Sequence, residues 1–139
     1  MNLSELLVDL TIHYNALIRS VASTVNFTLS QAFHIISIPP GGIPMSKLAH
    51  KLGLDASTLT RNIQKLENIK LVERIHDSYD KRVQKVLLTK QGTEIAEEIE
   101  EILFQMNNSI TDKIDLDSQE NMCDILEKLV WSMDCVREK

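Results

Sequence analysis

The cluster Leu48, Ala49, Leu52, Gly53, Leu54 and Leu59 constrains the fold of this chain more than any other feature. A small alanine lets two helices cross closely, a glycine permits the left-handed backbone of a tight turn, and the leucines tie both helices to one core. A helix-turn-helix meets these three demands together. The spacing predicts a short helix with Ser46 as its N-cap, running through Leu52 and leaving at Gly53. A second helix opens at Asp55, with Leu54 and Leu59 at the N′ and N4 positions of a hydrophobic staple, and reaches Ile69.

The elements around this pair follow from periodicity and punctuation. Leu3, Leu7, Leu10, Tyr14, Leu17 and Val21 alternate steps of four and three, which predicts a helix from Ser4 to about Ser23. Thr28 and Gln31 are spaced as a capping box for a helix to Ile38, where Pro39 and Pro40 end it. Two β-branched runs, Leu71 to Ile75 and Val83 to Leu88, flank a polar stretch and predict a hairpin. Thr89 then caps a long helix striped by Ile95, Ile99, Ile102, Met106 and Ile110. Asp117 and Glu120 have the spacing of a capping box before a last helix striped by Met122, Leu126, Leu129, Met133 and Val136. The order is that of a winged helix-turn-helix over about 28–90, mainly α with a small β-hairpin wing. Flanking helices lie at about 3–23 and 90–137.

At 139 residues one domain, 1–139, is expected, with a core of Leu, Ile and Val because aromatics make up 4%. No apolar run is long enough for a bilayer, and Met1 to Asp9 carry acids without Lys or Arg, so a cytoplasmic protein with no membrane association is expected. The net charge of -5 conceals a division. Ser46 to Lys90 holds ten basic and five acidic residues, a local charge of +5, and the rest of the chain carries -10. A polyanion is drawn to such a middle and repelled by its flanks.

On the second helix of the pair, Leu59, Ile63 and Leu66 fall on one side and Ser57, Arg61, Gln64 and Asn68 on the other. Thr58, Thr60 and Lys65 flank the polar side. These side chains suit base edges and phosphates: Arg pairs with guanine, Gln or Asn with adenine, and hydroxyls with either. A solvated helix face is the plainer reading. Against it, the only charges on this face are basic, and the face follows the turn that would project it into a major groove. At the hairpin tip, Lys81 can meet phosphate, and Arg82 can enter a minor groove while Asp80 orients it. Taken alone, that tip is an ordinary charged turn.

Other chemistries find little footing. His13, His34, His50 and His76 fall in four different elements, so no metal site and no cofactor are expected. Cys123 and Cys135 lie twelve apart on one helix, about 18 Å, too far to pair within it. With Glu120, Asp124 and Asp134 nearby they are expected to be buried and inert. No nucleophile with a base, paired carboxylates in an apolar setting or phosphate loop marks an enzyme, and Glu94 to Glu101 read as a solvated face.

Thr28 to Gln31, Leu52 to Arg61, Leu71 to Arg74, and Asp80, Arg82, Leu88, Thr89 and Gly92 together resemble the MarR family of transcriptional regulators, over roughly Phe27 to Glu97. Two departures stand out: Lys70 takes the place of the usual glycine after the recognition helix, and the Asp77, Ser78, Tyr79 tip lacks a proline. The resemblance implies a homodimeric repressor on a pseudo-palindromic double-stranded operator, its half-sites about 34 Å apart. It implies DNA contacts from the Ser57 to Lys65 face and from Arg82, and dimerisation through the terminal helices; Lys81 and Ser46 are further candidate anchors from their place in the basic middle. The apolar Leu3, Leu7 and Leu10, with the stripe from Met122 to Val136, exceed what so small a domain can cover alone. Many members of that family are released from DNA by small, often phenolic, acids; for such a ligand His13, Tyr14 and Arg19 are the candidate contacts here, but Tyr14 also belongs to the apolar stripe, and core or surface roles are the plainer reading of all three. The competing reading is a winged helix that binds protein without sequence-specific DNA binding; such a surface would expose apolar anchors instead of a basic polar face.

Overall fold

The computed structural model describes residues 1–138. They form α1 (Leu3–Thr24), α2 (Leu29–Ser37), β1 (Ile43–Pro44), α3 (Met45–Leu52), α4 (Ala56–Asn68), β2 (Val72–His76), β3 (Gln84–Leu88), α5 (Lys90–Thr111) and α6 (Leu116–Arg137). Two compact units divide the chain, one from Met1 to Leu103 and the other from Phe104 onward.

The local rules hold at most boundaries. The Thr28–Gln31 box is formed in both directions, at 3.1 and 2.9 Å. Asp55 caps α4 by accepting the Thr58 N–H at 2.7 Å. Gly53 leaves α3 in the left-handed region at φ 69°. Thr89 Oγ1 accepts the Gly92 N–H at 3.0 Å and so opens α5.

Two expected caps are corrected. Pro44 precedes α3 without a side-chain cap, and Ser46 lies exposed within the helix. The fixed φ of proline suits a helix entry, so the chain turns two residues before the serine. At α6 the cap is Asp115, which accepts from Ser118 N at 3.0 Å and Ser118 Oγ at 2.7 Å. Asp117 therefore sits in the first turn of α6 instead of ahead of it. Gln119 reaches back to the carbonyls of Thr111 and Ile114, tying that turn down and fixing the start at Leu116. At the N-terminus an unanticipated box, Asn2 with Glu5, starts α1 at Leu3.

The first unit is built around α4. Leu59, Ile63 and Leu66 pack with Ile35 and Ile38 of the α2 end, Leu48 and Ala49 of α3, Leu71, Val72 and Val86 of the sheet, and Ala96 of α5. The sheet is antiparallel in the order β1-β3-β2, with Val72 opposite Leu88 and His76 opposite Gln84. Its third strand was not expected: Ile43 and Pro44 pair with Val86 and Lys85 along the other edge of β3.

α4 ends in a Schellman motif. Leu71 N donates to Leu66 O at 3.0 Å and Lys70 N to Glu67 O at 2.9 Å, placing Lys70 at φ 63°. A Cβ in this conformation costs about 1 kcal/mol. Lys70→Gly is expected to stabilise the fold by up to about that amount, read as a higher denaturant midpoint with unchanged slope; a lower midpoint would show that the lysine side chain outweighs the backbone strain.

In the second unit α6 has no buried residue, and Trp131 is 70% exposed. Cys123 is exposed and Cys135 half-buried, which corrects the expectation of buried thiols: a helix without a buried face offers them no interior. On α1 only Ile18, Val21 and Ala22 are buried, all near its C-terminal end. Among the described residues, no helix is long and apolar enough to cross a membrane.

Candidate nucleic-acid interface

The buried side of α4 fixes the opposite side in space. Ser57, Thr60, Arg61, Gln64, Lys65 and Asn68 are all exposed, and Thr58 is half-buried. Two polar ties hold this helix to its neighbours. His34 on α2 is buried, with Nδ1 2.6 Å from the Ser30 carbonyl. Since a carbonyl can only accept, Nδ1 carries the hydrogen, and Nε2 accepts from the Asn62 amide on α4 at 3.2 Å. Lys51 on α3 donates to the Ser37 carbonyl at the end of α2, at 3.1 Å.

The exposed side chains differ in what their neighbours already claim. Ser57 Oγ donates to Asp55 at 2.9 Å, and Thr60 Oγ1 to the Ala56 carbonyl at 2.8 Å, so both hydroxyl hydrogens are spent inside the helix. Both oxygens remain acceptors. Arg61 makes a long 3.4 Å contact with Thr58 Oγ1. Hydrogen bonds from the Thr58 backbone, then the Thr58 and Ser57 hydroxyls, hold the Asp55 carboxyl below its ordinary value. The cap therefore stays ionised at neutral pH, at the N-terminus of α4 where a negative charge is favoured.

The wing tip is organised by two aspartates. Asp77 Oδ2 accepts from Tyr79 N at 3.2 Å and Asp80 N at 3.1 Å, closing the tip without the proline. Asp80 grips Arg82 with both oxygens: Oδ1 accepts from the Arg82 backbone at 3.0 Å and from Nε at 3.1 Å, and Oδ2 from Nη2 at 3.2 Å. The Arg82 side chain, through that fork first, holds the Asp80 carboxyl below its usual range. Arg82 is nevertheless 91% exposed, a cation aimed by its own neighbour, and Lys81 beside it is exposed too.

The remaining expected site residues are less concentrated. Ser46 is exposed in the first turn of α3. His13 and Arg19 are exposed on α1 and Tyr14 is half-buried. At about 100° per residue these three spread around the helix instead of sharing a face. Of the terminal apolar residues, Leu3, Leu10, Leu126, Met133 and Val136 are exposed, while Leu7, Met122 and Leu129 are half-buried.

One participant had been read only as part of a motif. Arg74 on β2 donates through Nη2 to Gln64 Oε1 at 2.9 Å, and the same nitrogen lies 2.7 Å from Glu67 Oε1. The latter contact is an ion pair off the hydrogen-bond direction. Gln64 in turn donates to Asn68 Oδ1 at 3.1 Å. The sequence signal was Leu-Val-Glu-Arg directly after the recognition helix, whose arginine returns along β2 beside it.

Comparison with known proteins agrees with this geometry. The sequence profile of the MarR family matches residues 40–83. An uncharacterised HTH-type transcriptional regulator of Bacillus subtilis, YsmB, is 34% identical over 77 residues, 52% of this chain and 53% of its own length, so the chain spans about half of that relative. Wild-type MarR of E. coli in its apo form superposes with a TM-score of 0.77 at 25% identity, over 93% of this chain and 96% of that one. The S. aureus MepR in its DNA complex has the same fold, with a TM-score of 0.77 at 20% identity over 96% and 99% of the two chains. The wing, the helix pair before it and the order of the flanking helices are those of these proteins, and over its helix-turn-helix and wing the chain is similar to the MarR family of transcriptional regulators.

Proposed function

We propose that this protein is a homodimeric, sequence-specific DNA-binding repressor. The observation that carries the reading is the face of α4: a helix buried along Leu59, Ile63 and Leu66 that presents Arg61, Gln64 and Lys65 outward. The Arg82 side chain is independently aimed at the wing tip. A helix for the major groove and a cation for the adjacent minor groove make a two-part grip on a duplex. The MepR structure, a complex with DNA, supports the same use of this fold. Basic charge between Ser46 and Lys90 supplies affinity, while Ser57, Thr58, Thr60, Arg61, Gln64 and Lys65 supply selection. Lys81, Arg82 and Ser46 anchor the complex.

Dimerisation rests on the terminal helices. Leu3 is 64% exposed and Leu10 52%, and α6 exposes Ile125, Val130, Trp131 and Val136 without burying any side chain of its own. Apolar surface on this scale is covered by a second copy in a two-fold protein, and a two-fold reader needs a pseudo-palindrome. Release by a small aromatic or anionic ligand completes the proposal, with His13, Tyr14 and Arg19 as its candidate contacts, and a cytoplasmic location follows from action on DNA.

Selection from random duplexes at two salt concentrations, with gel filtration of the same sample, tests the reading. A dimer that enriches a palindrome, with binding falling steeply as salt rises, is expected. A stable monomer at micromolar concentration, or retention without an enriched sequence, would transfer the fold to a protein-binding role.

A further inference from the structure

The polar face of α4 contains amides whose chemical sense is not fixed by shape, because the oxygen and nitrogen ends of Gln and Asn are nearly the same size. Arg74 removes that ambiguity. A guanidinium has donors and no acceptor, so the Gln64 atom 2.9 Å from Nη2 must be the oxygen. The Gln64 nitrogen then points at Asn68, which must answer with its own oxygen at 3.1 Å. One cation therefore sets the polarity of two candidate base-reading amides.

Arg74 is itself placed for this task and poorly placed for a phosphate. Its side chain is only 21% exposed, and Glu67, one helical turn after Gln64, holds it at 2.7 Å with a side chain 24% exposed. Nη2 is shared between the carboxylate and the amide, so Glu67 fixes the arginine and the arginine fixes the glutamine. By inventory, Gln64 keeps one lone pair on Oε1 and one hydrogen on Nε2. That acceptor and donor pair matches the N6 amino group and N7 of adenine in the major groove.

We propose that Arg74 is a specificity-determining positioning residue: through the relay Glu67, Arg74, Gln64, Asn68 it fixes which base the recognition helix reads without touching DNA. The proposal rests on the DNA-binding reading above and adds to it a residue outside the contact surface.

The test compares duplex selection by the wild-type protein, Gln64→Ala, and the double variant Glu67→Gln with Arg74→Met. Changing both members of the ion pair leaves no half-buried carboxylate unpaired, which preserves the fold, and a melting curve verifies it. Gln64→Ala is expected to lower base preference at one position of the half-site. The double variant should lower preference at that same position by about threefold or more, and adding Gln64→Ala to it should lower it little further, as coupled residues do. The salt dependence of binding should match the wild type.

A folded double variant with undiminished preference at that position overturns the proposal, as does a Gln64→Ala protein that selects the wild-type sequence. A uniform loss of affinity with a salt slope shallower by about one would instead make Arg74 a phosphate contact. If the wild-type protein enriches no sequence, the DNA-binding reading falls and the proposal with it; if it enriches one and the double variant enriches the same one, the relay alone falls.

Discussion

Gly92→Ala should lower the melting temperature by roughly 8 °C or more. A Cβ at this position would stand 2.0 Å from the Leu71 carbonyl oxygen and 3.0 Å from its carbon. Neither neighbour can swing aside as a side-chain end could, because that oxygen already accepts the Thr89 N–H at 3.0 Å and Leu71 is buried at the end of the Schellman turn. Two terms of opposite sign meet here. Alanine gains about 1 kcal/mol over glycine in a helix interior. Forcing the first turn of α5 off the Leu71 backbone costs about 3 kcal/mol or more, at the upper end of overpacking. The clash therefore wins by about 2 kcal/mol, at roughly 4 °C for each. Thermal melting by circular dichroism reads the outcome, and an unchanged or raised midpoint would mean that α5 can move away from the wing without loss.

Arg61→Ala should cost about 1 to 3 kcal/mol of discrimination at one base pair of the enriched duplex, an affinity loss of roughly 5- to 150-fold confined to the matching sequence. The guanidinium sits on the exposed side of α4, and its 3.4 Å approach to Thr58 is too long to compete with two hydrogen bonds to a guanine edge. Lys81→Ala removes a charge at the wing tip instead. It should weaken all duplexes alike and make the salt slope shallower by about one. Titrations of both variants against the selected duplex and a scrambled one separate the two roles. Equal losses on both duplexes from both variants would mean that α4 supplies charge and not selection.

Much of this architecture could be read from residues that act within four positions of themselves. The capping box at Thr28 and Gln31, the cap at Asp55, the left-handed exit at Gly53 and the buried triplet on α4 are local agreements between side chain and backbone, and each stands where the sequence placed it. Even the left-handed Lys70 followed from its taking a glycine's position. What escaped is decided by partners distant in the chain. Ile43 and Pro44 become a strand only because β3 offers them a second edge, and a two-residue segment with proline carries no strand signal of its own. Asp115 and Asp117 are both competent caps. The choice between them is made by Gln119 binding back to Thr111 and Ile114.

The candidate site divides along the same line. The identities on the polar face of α4 and the Asp80 to Arg82 fork were legible because helical period and a two-residue turn fix them. The pairing of Arg74 with Gln64 was not, since it spans ten positions and depends on β2 folding back beside the helix. Cys123 and Cys135 were misplaced for a related reason: thiols are usually buried, but α6 lends none of its own residues to a buried core.

A helix of 22 residues that buries no side chain gains little of the tertiary packing from which most helical stability in proteins comes. In the proposed dimer its stability is therefore borrowed from association, and mass action makes it depend on how many copies the cell contains. At low copy number an unpaired chain would leave Trp131 and its exposed apolar neighbours on α6 open to proteases. Above the association threshold each new chain protects another. The abundance of such a protein would then be sharpened into something closer to a switch by the same surface that, in the proposed dimer, pairs the two halves.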